Sequence, residues 1–161
     1  MQTKDIGSIL ATLFSELVDG APERGGAYIL NSGDVGLLRS LEKLSASDAS
    51  RAVSDGATIA AHAQHVRYGL SLMNRWAREG GNPFADAKWD EAWKTREVDT
   101  RAWDEIRAGF RADAQRWLAV LRVPREVTGM IGSVAHLAYH LGAVRQINKD
   151  ARGPREGTFQ A

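Results

Sequence analysis

His136 and His140 stand four residues apart in a stretch, residues 130–147, whose apolar side chains recur at helical spacing. Four residues of α-helix turn about 40° past a full revolution and climb about 6 Å, so both imidazoles leave one face and can close on an ion held at about 2 Å. A third nitrogen must come from elsewhere. The chain has four histidines, and the other two, His62 and His65, fall together in a second helical stretch, residues 58–78. Small residues flank the pair: Gly132, Ser133, Ala135 and Ala143 leave room for backbones to approach and for a cavity around the rings. Gly142 points the same way, since a mid-helix glycine costs about 1 kcal/mol relative to alanine. Metal binding is the reading this spacing favours, against surface histidines or an internal hydrogen-bond network.

Other chemistries are excluded by what is missing. Di-iron bundles need paired Glu-x-x-His units, and no histidine here has a glutamate three residues before it. No HExxH, GxSxG, GxxxxGK[ST] or GxGxxG occurs. Cysteine is absent, which removes disulfides, thiolate zinc sites, iron–sulfur clusters and a cysteine nucleophile together. What remains is a mononuclear imidazole site with open positions for water or a substrate group. A net charge of +1, from 21 basic and 20 acidic side chains, gives no general pull toward nucleic acid or an anionic membrane, so neither is expected as a partner.

The elements that must position the histidines follow from periodicity. Ile6, Ile9, Leu10, Leu13, Phe14 and Leu17 mark a first helix that stops at Gly20 and Pro22. Residues 21–32 should form a long surface connection, followed by a shorter helix with Leu37, Leu38, Leu41 and Leu44. Residues 45–56 read as a polar bridge. In 58–78, Ile59, His62, Val66, Gly69, Met73 and Trp76 share a stripe with His65 and Leu72 beside it, and Gly80, Gly81, Asn82 and Pro83 close the helix. The charged segment 84–99, with Trp89 and Trp93, should be an ordered crossover packing indoles on the bundle. Asp99 or Thr100 can cap a third long helix whose apolar face is Trp103, Ile106, Phe110, Ala114, Trp117 and Leu121. Pro124 should separate it from the last helix, with Thr128 as N-cap and Ile131, Val134, Leu137, Ala138, Leu141, Val144 and Ile147 packing inward.

These 161 residues suit one all-α domain, a four-helix bundle with a long crossover and an irregular tail over 150–161. The beginning of the chain reads as neither signal peptide nor membrane span, which predicts a soluble cytoplasmic protein. Trp76, Trp103 and Trp117 fall at core positions, whereas Trp89 and Trp93 should cover a pocket mouth or meet a second subunit, with the dimer contact ahead. Arg145 and Gln146 lie within two turns of His140, where they could orient an anionic substrate, but a solvated helix face is the reading favoured for Arg145. Tyr68 and Tyr139 sit about 100° round the helix from neighbouring histidines and receive no catalytic role.

Two segments resemble the DinB-like (DinB/YfiT) metal-binding four-helix bundles: TIAAHAQHVRYGLSLMNRW, like the family's second helix, and SVAHLAYHLGAVRQI, like its H-x-x-x-H helix. The resemblance covers most of the chain. It implies His65, His136 and His140 as metal ligands, with His62 as an outer partner or alternative ligand. It implies a divalent transition metal, nickel or zinc, and a homodimer. It also implies a thiol S-transferase or hydrolase-type enzyme acting on a small molecule, with a low-molecular-weight thiol supplying the sulfur that the chain lacks. The alternative is a non-catalytic metal- or ligand-binding module.

Overall fold

The computed structural model describes residues 3–123 and 126–151, with side chains from residue 6 onward. Among the described residues seven α-helices follow in order: α1 (Thr3–Asp19), α2 (Leu37–Glu42), α3 (Ala46–Ala49), α4 (Ile59–Glu79), α5 (Trp89–Trp93), α6 (Thr100–Leu121) and α7 (Val127–Ile147), then a 3-10 turn, Lys149–Ala151. The described residues contain no strand, only an isolated antiparallel bridge between Gly20 and Val35. The fold is therefore all-α. The expected break at Pro124 and the tail beyond Ala151 lie outside the described residues.

Helix ends follow local chemistry. Thr58 caps α4 by accepting from the Ala61 N–H at 3.2 Å, and Gly80, at φ 75°, ends that helix in a conformation that side chains disfavour. Asp99, the first of the two expected caps, accepts from the Ala102 N–H at 2.7 Å at the start of α6. At α7 the expectation fails: Glu126, not Thr128, is the N-cap. Its two carboxylate oxygens accept from the N–H groups of Thr128 and Gly129, both at 2.7 Å. These backbone bonds, that from Gly129 foremost, hold the carboxyl below its ordinary pKa. The helix therefore starts earlier than expected, with Thr128 inside its first turn, and Glu126 satisfies that turn's orphan donors while setting its charge at the positive end of the helix.

Helix α4 packs against both α6 and α7, and α1 packs against the same two. Phe14, Leu17, Phe110, Trp117, Leu121 and Val144 are wholly buried between them. Trp103 and Trp117 are core residues as expected, and their indole N–H groups donate to the Leu44 carbonyl and to Ser133 Oγ. Trp76 is only half-buried. The polar bridge contains α3, closed by a capping box between Ser45 and Asp48. The connection after α1 has exposed Tyr28 and Ile29, yet it is fastened: buried Glu16 accepts from the N–H groups of Tyr28, Ile29 and Leu30 at 2.7–3.1 Å.

Two expectations for α7 are corrected. Arg145 is buried, donates to the Val35 carbonyl at 2.7 Å and pairs with buried Asp34 at 3.6 Å, so it ties α7 to the connection rather than facing solvent. Ile131, expected in the core, is 51% exposed. Both errors share a cause: α7 is apolar almost all round, and its periodicity does not say which face turns inward. Among the described helices it alone is long and apolar enough, by length and composition, to cross a membrane. Here it packs against α1 and α4.

Candidate metal centre

Contact between α4 and α7 brings all four imidazoles together, and α5, packed on α4, covers them. His136 Nε2 stands 3.1 Å from His65 Nε2 and 2.9 Å from His140 Nε2. One nitrogen from each of these three residues lies within 4.8 Å of the other two, in an arrangement that could hold a metal ion. Two nitrogens each about 2.1 Å from one ion and at right angles to each other would stand about 3.0 Å apart. His62 meets the group differently: its Nδ1 lies 2.8 Å from His140 Nδ1, on the far side of that ring.

Chemistry of the donors separates an ion from a hydrogen-bond network. A neutral imidazole nitrogen carries either one proton or one lone pair. The His62–His140 contact uses one proton. The Nε2 atom of His136 approaches two others, and a neutral imidazole cannot form an ordinary two-centre bond with both. A cation takes one lone pair from each Nε2 at once, so this donor set fits a metal.

Burial prepares the rings for that role. His62, His65 and His140 are buried, at 7, 8 and 1% exposure, and His136 is half-buried. Desolvation lowers the pKa of all four: His140 falls to about 2 and His65 to about 4, each further lowered by neighbouring imidazoles. They are neutral ligands at neutral pH without help from a metal.

The crossover supplies the cover. Trp93 stacks on His65 with ring centroids 4.1 Å apart and meets His62 at 5.3 Å, while Trp89 lies 5.2 Å from His65. Both indoles thus lie on the imidazoles, and Trp89 also lines the adjoining pocket. The segment is held down by Arg75, which pairs with Asp86 at 2.6 Å and donates to the Pro83 carbonyl, and by Tyr68, whose hydroxyl accepts from the Lys88 N–H. Tyr68 thus has a fastening role, and Tyr139 is 66% exposed with its ring edge on His140.

Gly69 is the residue whose function the sequence reading missed. A Cβ there would meet His136 Cε1 at 3.4 Å and Trp89 at 3.8 Å, ordinary contact, so the position has room for a methyl group while a larger branched side chain would crowd the His136 ring off α4. The legible signal was its place four residues after His65. By contrast, a methyl group on Gly132 or Gly142 would meet nothing within 4 Å beyond its own helix and chain neighbours. Gly142 is exposed and makes no room at the centre, whereas Gly132 borders a cavity of about 840 Å³ that His65 and His136 also line. Comparison with family models, with curated proteins and with solved structures returns no match for this chain.

Proposed function

We propose that the chain is a divalent-metal-binding protein in which His65, His136 and His140 hold the ion and His62 orients His140 from behind. The observation that carries this is the convergence of three Nε2 atoms from two helices, those of His65 and His140 on buried rings and that of half-buried His136 between them. In this reading His140 Nδ1–H donates to His62 Nδ1, which fixes the tautomer that leaves Nε2 free for a metal. The fold would then be a DinB-like four-helix bundle built on α1, α4, α6 and α7, as the two quoted segments suggest. Nickel and zinc are the ions that the resemblance favours, and imidazole suits both.

An enzyme is the better of the two sequence-based readings because the histidines open on a cavity instead of closing round a fourth ligand. A divalent ion among neutral imidazoles lowers the pKa of a water or thiol bound to it. The chain's own residues do the rest: Trp93 shields His65 from water, Gly69 admits the His136 ring, and the cavity receives the small molecule. With no cysteine in the chain, a sulfur nucleophile comes from a low-molecular-weight thiol. A cytoplasmic homodimer belongs to the same proposal.

Elemental analysis of protein purified without a histidine tag tests the metal. One equivalent of nickel or zinc per chain, or its uptake by chelated protein, is the expected result. Protein that is empty and takes up neither, nor manganese or iron, overturns it.

A further inference from the structure

The cavity has a direction and a charge pattern that specify what fills it. Along α4 it runs from His65 past Gly69 to Met73, and along α7 from His136 past Gly132 to Gly129. A Cβ on Gly129 would lie 3.2 Å from the Met73 methyl, so the two helices run antiparallel along a trough about 10–12 Å long. Aliphatic side chains such as Leu70 and Leu137 line it, and Phe84 and Trp89, stacked with centroids 5.9 Å apart, form an aromatic wall from the crossover. Ser133 is occupied, accepting from Trp117 and donating to the Met130 carbonyl. Among the described residues no lysine or arginine lines it, and apart from the histidines the one ionisable side chain they contribute is Glu126, at the end away from them.

We infer that this trough binds a small molecule with an apolar, aromatic or alkyl body and a neutral or cationic end near Glu126, and that it rejects molecules carrying a carboxylate there. The inference rests on the metal reading only for what the histidine end meets. The volume, about 840 Å³, lies within the range of small-molecule sites. An anion at the Glu126 end would leave water to meet that side chain's carboxylate, which repels it. A peptide thiol with several carboxylates is therefore a poor occupant of the trough, and the apolar partner in a reaction is the better one.

The test uses the full chain, stripped of metal by a chelator, and the neutral fluorophore N-phenyl-1-naphthylamine. Saturable binding of one probe per chain is expected. Gly132→Phe fills the trough without a backbone clash, because Gly132 faces open space. It should weaken the probe at least tenfold while circular dichroism and thermal midpoint stay as in the parent. In displacement, 4-phenylbutan-1-ol and 4-phenylbutan-1-amine should outcompete 4-phenylbutanoate at least tenfold, and Glu126→Gln should narrow that gap. Equal displacement by the alcohol and the carboxylate, undiminished probe binding by Gly132→Phe, or loss of binding as the protein self-associates overturns the inference. Zinc uptake measured on the same samples keeps the two readings apart: uptake without probe binding overturns this one alone, and probe binding without uptake overturns only the metal.

Discussion

His136 is the ring on which the centre turns, because its Nε2 faces both other nitrogens and its Cε1 rests over Gly69. Truncating it leaves His65 and His140 without the nitrogen that stands between them. His136→Ala should therefore abolish stoichiometric uptake of nickel or zinc, read by elemental analysis after gel filtration. His62 contributes at one remove, through the His140 ring, and His62→Ala should keep the stoichiometry while weakening affinity about 10–100-fold. Equal losses in the two variants would mean that His62 is itself a ligand. Gly69 offers a finer probe. A methyl at 3.4 Å is ordinary contact, so Gly69→Ala should retain uptake and gain up to about 1 kcal/mol of helix stability. Gly69→Val adds branches that the His136 ring must yield to, and uptake should fall. Titration of both variants with a chromophoric zinc competitor distinguishes the outcomes.

Among the elements, α7 carries two of the proposed ligands, and its anchors lie beyond them at either end. Glu126 satisfies two orphan N–H groups at the start, so Glu126→Ala should cost about 1 kcal/mol in urea unfolding, whereas Thr128→Ala should cost little. At the other end, Arg145 faces Asp34 where both are buried. Removing one partner strands the other's charge: Arg145→Met should destabilise by about 3–5 kcal/mol, and adding Asp34→Asn should recover much of it. A single variant as stable as the parent would show that the pair is better solvated than its burial indicates. These anchors also mark where the sequence was readable. The lengths of α1, α4 and α6 follow from apolar spacing and caps, whereas α7 is apolar on nearly every face, and the pattern that should have revealed Arg145 as an inward residue is absent.

For the whole molecule, the site was legible because helical spacing alone puts His136 beside His140, and α4 offers the only other imidazoles. The roles of Trp89 and Trp93 were not, since a short helix in a charged crossover carries no periodicity to show which way an indole points. Nor does sequence reveal that four imidazoles packed together must all be neutral, a property of their common burial. That neutrality has a measurable consequence for the metal-free protein. The native pKa of His140 is pushed down to about 2 and that of His65 to about 4, while in the unfolded chain both sit near the ordinary 6.5. Above that ordinary value neither state binds a proton and these groups add no pH dependence. As pH falls from about 6.5 toward 4, the unfolded chain takes up protons that the native protein refuses, so stability must decline with acidification. Each such imidazole adds a slope approaching about 1.4 kcal/mol per pH unit. His140→Gln should flatten the slope by about that amount, and urea melts of both proteins at intervals between pH 7 and 4 measure it. Parallel curves for parent and variant would show that His140 takes up its proton in the folded state and that burial of its ring does not hold its pKa down.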